Sequence, residues 1–261
     1  MKNNSFAGLL YREYYLCKKS LFFYFLIFLC FSVIGWLILL SMKYGNLALL
    51  FNDEASGRTG IIQDKFAADF LRLLINISAM YLPLCGAFFS SFAPFDIAVK
   101  DTLASWIRFE HCTPLTPLKF ASVKLVSTMI GTLISFAISV LHLFSVRTVM
   151  GEKFTFVDIS IIIFLLTFIT AFCVLSQIYL TLFRNSSIGI AATTVTMMCP
   201  LIIIAIINSV NSSDEITKPE NIGSELTKYA ERFFPLMLIV LLSMFILLFV
   251  SMYLLYKRRE K

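Results

Sequence analysis

Long apolar stretches separated by short polar ones dominate the chain from residue 21 onward. A membrane-spanning helix needs about 20 consecutive and mostly apolar residues. Six stretches meet that length, and only the polar turn "RNSSIG" separates the fourth from the fifth. The pattern therefore predicts an all-α integral membrane protein with one domain, residues 1–261, and six transmembrane helices. These helices are predicted at residues 21–42, 73–95, 120–146, 156–183, 188–210 and 233–256.

Residues 1–20 have a different pattern, that of an amphipathic helix. Its apolar side chains recur on one face, and most of its bases, Arg12, Lys18 and Lys19, lie on the other. A helix of this kind rests on a membrane surface with its basic side chains toward the phosphate headgroups. The sequence thus predicts an interfacial helix on the cytoplasmic side, before the first span.

Glu13 is the exception in this helix, because it falls on the apolar side. Two interpretations are open. In the favoured one, the carboxylate bends out to water. In the other, Glu13 pairs with a base on a neighbouring helix.

The connection between the second and third predicted spans is unusually long and patterned. Plain connections need about two to eight residues, whereas this one uses some twenty. Leu103 and Trp106 cluster on one helical face, Arg108 lies on the opposite face, and Phe109 and Glu110 flank the apolar one. The spacing predicts a short amphipathic helix.

Two prolines end that helix. Pro114 and Pro117 cannot continue a regular helix, and each biases the preceding residue toward extended geometry, which predicts a rigid elbow before the third span. The whole connection, residues 96–119, has two interpretations, and physical reasoning favours neither. It is either a helix resting on lipid or a docking helix for a soluble partner, with aromatic anchors and charged side chains that set the register.

Composition and charge support the membrane assignment and orient the chain. Of its residues 59% are hydrophobic and 15% charged, with a mean hydropathy of +0.85, whereas soluble domains average about 25% charged residues. With both termini inside, the inner segments hold 13 basic and 5 acidic residues, and the outer ones 9 and 11. Positive charge marks the cytoplasmic side, so we expect a multi-pass protein of the cell membrane with cytoplasmic termini. Anionic lipid accounts for the basic excess, and no nucleic-acid partner is expected.

The chain lacks the motifs of a catalytic, cofactor or metal site. It has no phosphate-binding loop G-x-x-x-x-G-K-[ST], no H-E-x-x-H and no G-x-S-x-G. His142 is expected to be a packed, hydrogen-bonded residue. The predicted span interiors hold almost no charged residues, whereas ion-coupled carriers usually keep such groups at mid-membrane. This favours an interior that carries an apolar or amphipathic passenger, or none at all.

The order of parts resembles the membrane (permease) subunit of the type-two ABC transporters of the exporter type. The run "FEHCTPLTPLKFASVKL" is similar to that family's coupling region, and "YREYYLCKKSLFFYFL" is similar to its entry into the first span. The sequence "DTLASW" stands where the family commonly has a Gly-Thr pair.

The resemblance implies a coupling helix that docks on separate cytoplasmic ATPase subunits, which would bind the ATP and magnesium. The docking residues would be Leu103, Trp106, Arg108, Phe109, Glu110, Pro114 and Pro117. It also implies pairing with a second copy or a related permease, and export of an apolar or amphipathic molecule such as a peptide or a drug. The alternatives are an ion-coupled secondary carrier and a non-transporting membrane scaffold or sensor.

Overall fold

A computed structural model describes residues 4–44, 75, 81, 83–104, 116–183, 185–211 and 219–258, and nearly all of them are helical. Side chains at 4–5, 42–44, 200–211 and 219–231 are outside the description. Within it the helices are α1 (Asn4–Tyr44), α2 (Ala93–Leu103), α3 (Pro117–Met150), α4 (Phe156–Phe183), α5 (Ser186–Asn211) and α6 (Pro219–Arg258). A 3-10 turn, Phe89–Phe92, precedes α2.

Four of the described helices are long and apolar enough to cross a membrane. They are Phe6–Ser41, Pro117–Met150, Phe156–Phe183 and Arg232–Arg258. The fourth predicted span coincides with α4, and α5 occupies the fifth, with a shorter apolar section at Ser186–Cys199. Most of residues 73–82, the first half of the second predicted span, lie outside the described residues. For the described residues, this confirms an all-α fold with four helices that could span a membrane.

No break in the helix accompanies the predicted boundary between an interfacial helix and the first span, because α1 runs without interruption from Asn4 to Tyr44. No glycine or proline occurs between Gly8 and Gly35, so nothing in the local sequence disfavours a continuous helix. At 1.5 Å per residue its 41 residues extend about 60 Å.

The second predicted span also ends differently from the prediction. Residues 83–88 are helical, the chain tightens into the 3-10 turn, and α2 then begins at Ala93 with Pro94 in its first turn. Proline is tolerated there because the first helical N–H groups have no intrahelical partner. The first part of the predicted coupling region, from residue 96, therefore belongs to α2.

Helix α4 is at the centre of the bundle and packs against α2, α3, α5 and α6. Helix α1 lies at the periphery against α2 and α3. One apolar core near the end of α1 includes Leu39, Phe88 and Leu143, and another at the opposite end of α3 includes Phe120 and Met252.

An ion pair closes the end of the bundle where α3 turns into α4. Gly151 adopts a left-handed conformation (φ 77°) that ends α3, as glycine commonly does at this position. Arg147 Nη2 then binds Asp158 Oδ1 at 2.9 Å, and Asp158 Oδ2 accepts a hydrogen bond from the Thr155 backbone N–H at 2.9 Å. Asp158 is fully buried, and these contacts fix the turn.

Helix α1 crosses the segment before the 3-10 turn at very short range. A Cβ added to Gly86 would lie 2.5 Å from Phe28 Cα and 2.8 Å from Phe28 N. Small residues let helix backbones approach closely in membranes, where van der Waals packing contributes much of the association. The crossing therefore requires glycine at position 86.

We expect Gly86→Ala to destabilise the protein by about 1–3 kcal/mol, because the added methyl forces α1 away from the bundle. Thermal unfolding in detergent, followed by circular dichroism, measures the loss. Gly8→Ala is the control: a Cβ there meets nothing within 4 Å, and alanine favours a helix. Equal stability of the two variants would contradict the close crossing.

Candidate functional site

The start of α1, the end of α2 and the start of α3 meet at one end of the bundle. The end of α6 joins them there through Tyr256, whose ring stacks on Phe120 with 5.1 Å between centroids. Both chain segments that lead into and out of residues 105–115 thus lie at this end.

Four charged side chains, Arg12, Glu13, Asp101 and Lys124, form the ion cluster at this junction. Lys124 Nζ lies 2.8 Å from Glu13 Oε1 and 3.1 Å from Asp101 Oδ2. Arg12 Nη1 lies 3.3 Å from Glu13 Oε1, and Arg12 Nη2 forms a short contact with Asp101 Oδ1. Each carboxylate therefore contacts both cations, and three helices are linked in one network.

Burial makes this ion cluster different from a surface salt bridge. Glu13 is 3% exposed, Asp101 5% and Lys124 6%. Removing a charge from water costs several kcal/mol, which only a well-placed opposite charge and further hydrogen bonds offset. Among the described residues two carboxylates face two cations, and each of these charges loses a partner if the three helices separate.

The pairing of Glu13 with a base on a neighbouring helix is confirmed, and the interpretation of a solvated carboxylate is wrong. The apolar side of α1, on which Glu13 lies, faces α2 and α3. One turn further along that side, Cys17 packs with Ala93 and Ile97. Arg12 was predicted on the basic face, and the structure pairs it with Glu13 and Asp101. Only Lys18 and Lys19 of the predicted basic face are exposed.

Further polar contacts tie α1 to α2 beyond the ion cluster. Ser20 donates a short hydrogen bond to Asp96. Lys100 Nζ donates to the Leu16 carbonyl at 3.1 Å and to Ser20 Oγ at 3.5 Å. These two helices are thus joined over more than two turns.

The structure places two of the predicted docking residues. Leu103, the last residue of α2, is 70% exposed, and Pro117 is the first residue of α3. This position suits the fixed φ of proline. The other five, Trp106, Arg108, Phe109, Glu110 and Pro114, lie outside the described residues.

A cavity of about 400 Å³ adjoins the ion cluster, between α1, α2 and α3. Its wall is almost wholly apolar, with Leu10, Cys17, Ile97 and Ile134 among its lining residues, and Glu13 also forms part of it. The volume is within the range of small-molecule sites, about 300–1,000 Å³.

Between the two ends of the bundle, the described buried polar residues are uncharged or imidazole. They include Ser135, which hydrogen-bonds Ser91 at 2.9 Å, and Gln177, which donates to Thr128 at 3.1 Å. His142 packs edge-on against Phe28 and lies 3.5 Å from Ser32 Oγ, as the sequence led us to expect. Such groups are typical of contacts between membrane helices.

Sequence reasoning missed Lys124 as the partner of Glu13, and it missed Asp101 as the second carboxylate of the ion cluster. A signal was present, because Lys124 lies in the otherwise uncharged start of the third predicted span. A cation inside an apolar stretch needs a carboxylate nearby. Glu13, on the apolar side of its own helix, was the matching candidate.

Comparisons of the chain with protein-family models, with curated proteins and with solved structures gave no match. The resemblance to exporter permeases therefore remains an expectation from the sequence, and the geometry of the ion cluster and cavity is the basis for interpreting this site.

We expect Lys124→Met to destabilise the protein by about 3–5 kcal/mol, because it removes the cation that contacts both buried carboxylates. Thermal unfolding in detergent measures the effect. The double variant Glu13→Gln with Lys124→Met should recover part of the loss, since one uncompensated carboxylate is removed as well.

Lys19→Met is the matched control, because Lys19 is exposed on α1 and surface substitutions usually change stability by less than about 0.5 kcal/mol. A Lys124→Met protein as stable as Lys19→Met would show that the ion cluster does not hold the three helices.

Proposed function

We propose that the chain is the six-span membrane subunit of an ATP-driven exporter, located in the cell membrane with both termini in the cytoplasm. It pairs with a second permease and with separate ATPase subunits, which dock on the predicted docking residues between Leu103 and Pro117, here called the docking segment. The observation that carries this proposal is the ion cluster, which joins both flanks of that segment to α1.

The flanks of the docking segment are held unusually firmly. Asp101 lies two residues before the end of α2, and Lys124 lies in the second turn of α3. Asp101 binds Arg12 of α1, and Lys124 binds both Glu13 of α1 and Asp101. A displacement of the docking segment by an ATPase therefore moves α1, α2 and α3 as one unit.

The start of α3 favours direct transmission. Pro117 begins the helix, and its ring fixes φ near −65°. One turn later Phe120 stacks on Tyr256 of α6. A displacement at the start of α3 thus extends through Phe120 to α6.

The described interior supports an apolar or amphipathic passenger. Its buried charges, Glu13, Asp101, Lys124 and Asp158, lie near helix ends and are all ion-paired. An ion-coupled carrier uses ionisable groups deep in the membrane, so this arrangement favours the exporter over the carrier. A scaffold that uses the same docking segment is the runner-up.

The test is purification of the tagged protein from its native host in mild detergent, with identification of partners and assay of ATP hydrolysis. We expect an ATPase to co-purify with the wild type. Trp106→Ala should reduce its recovery about tenfold or more, since a buried aromatic anchor contributes about 2 kcal/mol or more to an interface.

Arg108→Ala and Glu110→Ala should weaken the same association. Lys153→Ala is the control, because Lys153 is exposed at the opposite end of the bundle. Recovery of an intact permease pair without any ATPase would reject the exporter and favour the carrier or the scaffold.

A further inference from the structure

Two exposed lysines of α1, Lys18 and Lys19, contact no carboxylate within the described part of the chain. Lys18 instead contacts an aromatic ring, because its Nζ lies 3.9 Å from the centre of the Tyr15 ring. A ring attracts a cation through its quadrupole, but it has no net charge with which to neutralise the ammonium group. Lys18 therefore keeps an uncompensated positive charge on the outer surface of α1.

Helix α1 runs parallel to α3 and in step with it. Glu13 contacts Lys124 at one end of the bundle. Nineteen residues further along α1, Ser32 lies 3.5 Å from His142, which is eighteen residues beyond the lysine on α3. Both helices rise 1.5 Å per residue, so the height of a residue on α1 can be measured along α3.

The charged ends of α3 indicate where a bilayer fits. Lys124 and Arg147 are 23 residues apart, which corresponds to about 35 Å along the helix. A hydrocarbon layer of about 30 Å fits between them with a few ångströms at each end. Lys18 lies five residues beyond Glu13 in the direction of this layer, a rise of about 7 Å. Its Cα is thus about 5 Å inside the hydrocarbon boundary.

The side chain of Lys18 points back out of the hydrocarbon layer. Cα–Cβ bonds of a helix tilt toward its N-terminus, and the ammonium group lies over the ring of Tyr15, almost one turn nearer to the ion cluster. Long basic side chains near a membrane surface place their charge at the interface in this way. The ammonium group of Lys18 therefore reaches the depth at which lipid phosphate groups begin.

The exposed face around Lys18 has the composition of a membrane interface. The i, i+3, i+4, i+7 spacing of one helical face joins Tyr11, Tyr14, Tyr15 and Lys18. The three tyrosines are more than half exposed, and so is Phe22, one turn beyond Lys18. Tyrosine is enriched at the headgroup level of membranes, and its hydroxyl group can donate to phosphate. The change from tyrosine to phenylalanine places the border between headgroups and hydrocarbon at Lys18.

We propose that this tyrosine and lysine face of α1 binds an anionic glycerophospholipid of the adjacent leaflet, with its phosphate on Lys18 Nζ and the hydroxyl groups of Tyr14 and Tyr15 beside it. Charge selects the class of lipid. A phosphatidylglycerol head brings a net negative charge to the uncompensated ammonium group, whereas a choline head already balances its own phosphate. The site does not depend on the proposed export function, because binding is measured on this chain alone.

Native mass spectrometry of the intact protein, released from detergent micelles, tests the proposal. The micelles contain equimolar dioleoyl phosphatidylglycerol and dioleoyl phosphatidylcholine, which have the same acyl chains. We expect the first bound lipid to be phosphatidylglycerol about fivefold more often, because one base near the membrane surface contributes about 1 kcal/mol to the attraction of an anionic lipid. Equal binding of the two lipids by the wild type would overturn the proposal without any substitution.

The neighbouring lysines provide a matched pair of variants. Lys18→Met should remove most of the preference for phosphatidylglycerol, whereas Lys18→Arg should retain it, because a guanidinium group also binds phosphate. Lys19 has the same charge and nearly the same depth, but it lies beside the face that Tyr14, Tyr15 and Lys18 share. Lys19→Met should change the preference by less than about twofold, since salt screens an exposed charge that does not contact the phosphate. Equal losses in the two methionine variants would show general attraction to a basic surface and reject the site.

Inorganic phosphate separates a lipid site from a site for the free anion. Millimolar phosphate should not displace phosphatidylglycerol, because the free anion lacks the acyl chains that pack on exposed phenylalanines such as Phe22 and Phe25. Displacement of the lipid by phosphate would assign Lys18 to a soluble anion and reject the proposed lipid.

Discussion

The pairing of buried carboxylates with buried cations is the constraint on which one whole end of this bundle depends. Helix α1 is only slightly buried. In its most apolar stretch 17% of the residues are buried inside the bundle, against 56% in the corresponding stretch of α4. Lipid tails are as apolar as the side chains, so in a membrane the hydrophobic effect supplies little drive for two helices to associate. Polar pairing and close backbone contact must then hold α1, and the ion cluster provides the first of these.

Charge is concentrated at the two ends of the described bundle, and the middle is neutral. Lys124 and its partners are at one end, Arg147 and Asp158 at the other. Serine, threonine and glutamine form the polar contacts between them. This distribution is compatible with a bilayer, where charged groups are tolerated near the interfaces or in well-paired sites. It also fixes the ends of α3, so that this helix is positioned by electrostatic contacts at both termini.

Local features of the sequence were predictable, and contacts between distant residues were not. The limits of α4 follow from apolar length and from Asp158 in its first turn, both of which are local. The continuity of α1 was missed because a change from interfacial to spanning orientation depends on the membrane, and the helical pattern is the same in both cases. Lys124 and Glu13 are 111 residues apart, so each residue alone signalled the need for a partner without identifying it.

The cavity lay beyond sequence reasoning for the same reason. Leu10, Ile97 and Ile134 belong to three helices, and the space between them depends on crossing angles and on the glycine contact at residue 86. Neither hydropathy nor spacing contains that information. The predicted docking segment is the opposite case, since its proposed role depends on the chemistry of a short contiguous stretch.

Because α1 is unbroken, its close crossing with Gly86 acts as a pivot point for the whole helix. Helix α1 crosses Gly86 at Phe28. Along the helix axis, Glu13 lies about 22 Å from this crossing in one direction and Leu39 about 16 Å in the other. A rigid rod that tilts about a fixed point moves its two ends in opposite directions. Any tilt of α1 started at the ion cluster thus appears as a counter-movement at the core around Leu39, on the far side of the molecule, without a change in the helix itself.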